Sequence, residues 1–83
     1  MLYTKGKRLM ITESAWRKMD HLGMSTQKLI TTMEEGERKL ESRRTGKWLV
    51  QDRFARKFVL VRYAELVDEI IVINIGQTTR RVL

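Results

Sequence analysis

Side chains able to do acid–base or nucleophilic chemistry are few in this chain of 83 residues. His21 is the single histidine and the only side chain that titrates near neutrality without help from its surroundings. It falls on the polar side of a helical stretch, where a bystander role competes with an acid–base one. Ser14 has no histidine near it in sequence and reads better as a first-turn helix residue than as a nucleophile. Glu34 and Glu35 resemble a carboxylate pair, but adjacent helical residues point apart, so they read as solvated surface. The absence of cysteine excludes disulfides, thiolate metal ligands and cysteine nucleophiles. One histidine cannot build a histidine-clustered metal site, and no phosphate loop or metal motif occurs. No cofactor and no metal are expected.

What the chain has in quantity is positive charge. Lysine and arginine number 17 against 10 aspartates and glutamates, a net charge of +7. The excess concentrates in residues 37–62, which hold nine basic and three acidic side chains. Clustering of this kind suits a polyanionic partner; the plainer alternative is a solubilising surface. Arg43, Arg44, Lys47, Arg53, Arg56 and Lys57 fall in or beside two turns and are expected to form one continuous positive surface. If the turns lie at opposite ends of a sheet, that surface must draw instead on Arg38, Lys39, Arg62, Arg80 or Arg81. Trp48, Phe54 and Phe58 interleave with these cations. Nucleobases stack on such rings while Lys and Arg hold phosphates; core packing is the competing use, and Phe54, in a turn, is the best placed to be an exposed ring. Cleavage of RNA by its own 2′-hydroxyl needs a base, an acid and stabilisation of a charged phosphate. Lys47, Arg53, Arg56, Lys57, Arg62, Arg80 and Arg81 are the candidates for the last role, with Arg62, Arg80 and Arg81 the catalytic candidates.

The elements that must position these residues follow from periodicity. A hydrophobic content of 42% is too high for disorder by composition, and the length allows one domain, residues 1–83, with 77–83 as a polar tail that can fray. Leu9-Met10-Ile11 is a short strand. Thr12 caps a helix whose apolar face is Ala15, Trp16, Met19 and Leu22, with Ile11 and Trp16 at hydrophobic-staple spacing and Gly23 as its stop. Ser25 caps a second helix, with Leu29, Ile30 and Met33 as its stripe and Gly36 as its end. Residues 37–42, Trp48 to Val50, Phe58 to Tyr63 and Glu69 to Ile75 read as strands, separated by turns at 43–47, 52–57 and 67–68. Short connections force an antiparallel meander. The expected fold is α+β, β-α-α-β-β-β-β, a helical hairpin packed on a twisted antiparallel sheet. Trp16, Met19, Leu22, Leu29, Ile30, Met33, Leu60, Val61, Ile71 and Ile73 are the expected core. No apolar run approaches the length of a membrane span and the charged first eight residues lead into no signal-peptide core, so a soluble cytoplasmic protein with no membrane partner is expected.

Residues 14–25 also carry a resemblance. Ala15, Lys18, Met19, Gly23, Met24 and Ser25 resemble a His-Ala-x-x-Arg-Met-x-x-Arg-Gly-Ile-Ser signature found in a family of small prokaryotic proteins of unassigned function. That family continues into a basic hairpin and an ending similar to Val61-Arg62-Tyr63 and Asp68-Glu69-Ile70-Ile71-Val72-Ile73 here. The family looks like a distant relative of the RelE and BrnT toxins of toxin–antitoxin pairs, many of which bind the ribosome and cut messenger RNA. The resemblance implies a RelE/BrnT-like fold, an RNA or ribosome target and an antitoxin partner. The chain departs from the signature at Ser14 and Leu22. It also lacks the arginine such toxins often carry near Leu60 and the basic or histidine residue expected around Gly76-Gln77-Thr78. Those departures point to weak or absent ribonuclease activity, which if present would be metal-independent. Two other readings stand beside this one: a protein-interaction module, such as a homodimer formed through the helical hairpin or an edge strand, and a DNA-binding accessory protein that inserts a β-ribbon.

Overall fold

A computed structural model of the protein describes residues 2–83; Met1 lies outside the described residues. The elements run β1 (Tyr3–Thr4), β2 (Lys7–Ile11), α1 (Glu13–Leu22), α2 (Thr26–Glu35), β3 (Glu37–Ser42), β4 (Lys47–Phe54), β5 (Lys57–Glu65) and β6 (Glu69–Thr78). The six strands form one sheet in the order β1-β2-β6-β5-β4-β3. Both helices pack on one face of it, and the fold is α+β.

The helix boundaries follow the sequence signals. Thr12 is extended and its hydroxyl accepts a hydrogen bond from the Ala15 amide at 3.3 Å. The same hydroxyl donates to the Ile73 carbonyl at 3.2 Å, tying the start of α1 to β6. At the far end the Gly23 and Met24 amides close on the Asp20 and Met19 carbonyls. Ser25 caps α2 through the Lys28 amide at 3.0 Å. Gly36 ends that helix with extended backbone, φ −71°. Glycine is required there for space, since a Cβ would stand 2.6 Å from both the Thr32 and Gln51 carbonyl oxygens.

The meander of β3, β4, β5 and β6 is antiparallel as expected. β6 lies between β5 and β2, so the most apolar strand is central. The sheet as a whole is mixed rather than antiparallel: β2 pairs parallel to β6, Arg8 opposite Glu69 and Ile11 opposite Val72. α1 and α2 together are the connection that carries the chain away from β2 before the meander returns β6 beside it. A further strand, β1, folds back on β2 through Lys5-Gly6, and Gln77 and Thr78, read as the start of the tail, are the last rungs of β6 opposite Val59 and Phe58.

The core between helices and sheet contains Ala15, Met19, Leu29 and Met33 from the helices and Val50, Val59, Val61, Tyr63, Ile70, Val72 and Ile75 from the sheet. Trp16 is not in it. Its ring is 45% exposed, because it lies about 100° round α1 from Ala15 and no third helix covers that flank. Leu60, Ile71 and Ile73 are only half-buried. Leu60 alternates with the core residues of β5, so it faces the side of the sheet that the helices leave open. For β6 the reason is a bulge. Arg62 pairs with Asn74 and Tyr63 with Val72, which leaves Ile73 without a partner and changes the register. Val72 and Ile75 therefore both reach the helix side, and simple alternation fails at that residue.

Candidate nucleic-acid interface

The basic residues of the central stretch are placed by β4. Arg43 and Arg44 lie exposed in the turn before it, and Lys47 is its first residue. Gly46 holds this turn at φ 66°, where its amide group approaches β5 so closely that a Cβ would stand 2.7 Å from the Glu65 carbonyl. Arg53 and Phe54 end the strand, and Ala55-Arg56 turns the chain into Lys57. That second turn is tighter than the sequence suggests. Phe54 pairs with Lys57, and both intervening residues take left-handed backbone, φ 52° and 68°.

The single continuous surface expected of these six cations does not form. Lys47 and Phe54 bracket an eight-residue strand, so at about 3.3 Å per residue the two basic groups stand about 23 Å apart, at opposite ends of the sheet. Of the residues held in reserve to join them, Arg62 and Arg81 are committed elsewhere. The Arg62 guanidinium grips Glu41 with two bonds, Nε to Oε1 at 2.6 Å and Nη2 to Oε2 at 3.2 Å. The Arg62 hydrogen bond holds the Glu41 carboxyl below its ordinary range against a weaker opposing effect of burial. Arg81 pairs with Glu37. Arg80 is exposed just beyond β6, its amide bonded to the Thr78 hydroxyl, and so joins the β4–β5 end.

Charge pairing divides the cations sharply. Six ion pairs occur among the described residues: Lys7–Glu65, Arg8–Glu69, Arg17–Glu13, Lys28–Asp52, Arg62–Glu41 and Arg81–Glu37. Seventeen cations and ten carboxylates less six of each leave eleven and four. Arg43, Arg44, Lys47, Arg53, Arg56 and Lys57 are all among the eleven, and all are exposed.

The aromatic side chains sit differently from their sequence reading. Arg53 lies over the Phe58 ring, 5.5 Å from its centroid, on the open face of the sheet. Phe54 is the end of a strand, half-buried against the core rather than exposed in a turn. Trp48 also packs against the core, and its other side is covered by Arg38 at 4.6 Å. His21 is exposed in the last turn of α1, Ser14 is exposed in the first, and Glu34 and Glu35 are exposed near the end of α2.

Two features had no sequence signal. Gln51 is buried on the open face, and its Oε1 accepts the Val82 and Leu83 amides at 2.6 and 3.0 Å. Residues 79–83 thus fold back over β4 instead of leaving the sheet. Lys5 and Arg38 converge with Trp48 and Tyr63 at the β3–β4 end, a grouping that depends on β1, which was not foreseen. Among the described residues no cluster of histidine and carboxylate could hold a metal ion, and no helix is long and apolar enough to cross a membrane. In comparisons with protein-family models, with curated proteins and with solved structures, the chain finds no match.

Proposed function

We propose that the protein is an RNA- or ribosome-binding domain of the RelE/BrnT-like toxin type, acting in the cytoplasm, with weak or no ribonuclease activity. The observation that carries this reading is the set of exposed, unpaired cations at the two ends of β4. Carboxylates pair with Lys7, Arg8, Arg62 and Arg81 on and beside the sheet, whereas the cations at the two ends of β4 are left free for phosphate. The β4–β5 end combines Arg53, Arg56, Lys57 and Arg80 with two phenylalanine rings, the mixture that grips a backbone while accommodating bases. Ion pairing of Arg62 and Arg81 supports a binder over a nuclease, because two of the three catalytic candidates are already neutralised. Kinship to RelE and BrnT folds, and an antitoxin as partner, rest on the sequence resemblance and belong to the same proposal.

Filter binding to single-stranded RNA tests it. Affinity is expected to fall steeply between about 50 and 200 mM salt as phosphate contacts release counterions. Replacing Arg53, Arg56 and Lys57 together with Ala should flatten the log–log salt slope by about 2. No measurable binding at the lower salt removes the proposal. Expression of the protein alone in a bacterial host should leave growth unimpeded; arrest relieved by Arg80→Ala would make it a nuclease instead.

A second reading, a protein-interaction module, has one observation in its favour. The open face of the sheet carries half-buried Leu60, Ile71 and Ile73 beside Met10, which is 51% exposed. Sedimentation equilibrium distinguishes it: a self-associating protein that ignores RNA belongs to that class. A DNA-binding role through the β4–β5 ribbon predicts preference for duplex DNA over RNA in the same filter assay.

A further inference from the structure

At the β3–β4 end, on the helix side of the sheet, two cations meet over a buried hydroxyl. Register sets this up. Arg38 lies opposite Val50 and Trp48 opposite Tyr63, so alternation brings Arg38, Trp48 and Tyr63 to one face. The helices do not cover this corner; the β1–β2 hairpin does. Buried Thr4 bonds to Glu34 at 3.3 Å, and Lys7 is fixed by Glu65 and the Leu66 carbonyl. Lys5, between them, is carried over the Tyr63 ring, its Nζ 5.9 Å from the centroid.

Two features of this corner are unexplained by packing. The first is the Tyr63 hydroxyl, which is wholly buried and whose polar neighbour, the Arg38 guanidinium, is close enough to act on its ionisation but does not complete a hydrogen bond in good geometry. A buried polar group left in that state is costly and rare. The second is the pairing of cation with cation. Burial and the neighbouring Arg38 charge hold the Lys5 ammonium below the ordinary lysine value, and Glu65 and Glu34 do not offset them. Those two carboxylates are engaged with Lys7 and Thr4. Lys5 itself takes the left-handed conformation, φ 55°, that its two-residue turn requires, and this fixes its side chain over the ring. Each feature is unfavourable alone, and both are relieved by one change: an anion placed between Lys5 and Arg38 that also accepts a hydrogen bond from the Tyr63 hydroxyl.

We propose that Lys5, Arg38 and Tyr63 form a phosphate-binding site in which the two cations hold a phosphate group and the Tyr63 hydroxyl donates to it as Lys5 swings aside. A phosphate offers the several acceptor oxygens and the charge that this set demands, and the Arg38 fork matches two of them. The site does not depend on the cations of the β4–β5 turn and stands or falls separately from the RNA proposal.

Trp48 supplies the readout, because Arg38 lies on its ring. In a Trp16→Phe background Trp48 is the only indole, and Trp16 is exposed, so its removal is tolerated. Inorganic phosphate, adenosine 5′-monophosphate, and single-stranded RNA with and without a 5′-phosphate are titrated at constant ionic strength, with sodium chloride as the blank. A saturable change in Trp48 emission is expected with phosphate-bearing ligands and not with chloride. Lys5→Ala and Arg38→Gln should each weaken it about tenfold or more, and Tyr63→Phe by a smaller factor, as expected for loss of charge-assisted hydrogen bonds. Response to inorganic phosphate or the mononucleotide identifies a small-molecule phosphate as the source; response to RNA alone, abolished by Lys5→Ala, identifies the nucleic-acid backbone, and a dependence on the 5′-phosphate identifies its terminus. No saturable response to any of them, or an undiminished response in the folded Lys5→Ala and Arg38→Gln variants, as checked by circular dichroism, overturns the site.

Discussion

Two hairpins in this molecule reverse direction over two residues held at positive φ, Lys5-Gly6 between β1 and β2 and Ala55-Arg56 between β4 and β5. Both tips are basic. The first is fastened on every side: Thr4 to Glu34, Lys7 to Glu65, and Lys5 laid over a core tyrosine. In the second, Ala55, Arg56 and Lys57 are exposed and engage in no ion pair among the described residues. The first places a cation over the core, where desolvation and fixed neighbours set its properties. The second projects charge into solvent, where the partner supplies the counter-charge. Left-handed backbone serves both uses, and in the second it is imposed on two residues that bear side chains, at about 1–2 kcal/mol each.

The contrast can be broken most severely at Tyr63, the floor of the fastened hairpin. Tyr63→Ala should cost about 3–5 kcal/mol, read by urea unfolding, because the ring is fully buried. A loss below about 1 kcal/mol would show that the corner is loosely packed. At the free hairpin the effect reverses sign. Replacing Ala55-Arg56 with Asn-Gly suits the turn and should raise stability by about 1 kcal/mol, while RNA affinity falls with the lost Arg56. Tyr63→Phe separates floor from hydroxyl and should be neutral or stabilising by about 1 kcal/mol, since the hydroxyl completes no well-formed hydrogen bond, Arg38 being its polar neighbour. Burial raises the Tyr63 pKa above the ordinary phenol value. The stabilisation that follows is complete below the unfolded value and lost as pH rises through the folded one. Wild type should therefore lose more stability than Tyr63→Phe in strongly alkaline solution. The smallest effect belongs to Arg62–Glu41. With the Glu41 pKa lowered, its contribution is present above the ordinary carboxylate range and disappears on acidification. Glu41→Gln should cost less than about 1 kcal/mol at neutral pH, the pair being partly exposed.

The helices were legible because their signals are local. Thr12, Ser25 and the two glycines mark ends that depend on neighbours a few residues away, and the structure uses each of them. The meander was legible for the same reason. Pairing between β2 and β6 was not, since nothing near Arg8 in sequence announces Glu69. The bulge at Ile73 was hidden too: isoleucine fits either face, so the apolar run reads as regular alternation. In the candidate site the sequence supplied the cations but not their geometry. Arg43 and Arg56 are close in the chain, yet β4 is long enough to hold them apart. Lys5 carried no signal, because its setting depends on Arg38 and Tyr63, which reach it only through the completed sheet.

The one parallel rung set also governs the order in which the molecule can assemble. β3 to β6 zip together through successive short hairpins, whereas Arg8 meets Glu69 across 61 residues of chain. Closing so long a loop carries an entropic penalty that neighbouring strands avoid, so β2 should dock late and detach early. Once it detaches, the Ile70-Ile71-Val72 backbone becomes an unprotected apolar edge. Hydrogen exchange at those amides should report the opening at free energies below global unfolding. A chain beginning at Thr12 should accordingly associate edge to edge and precipitate.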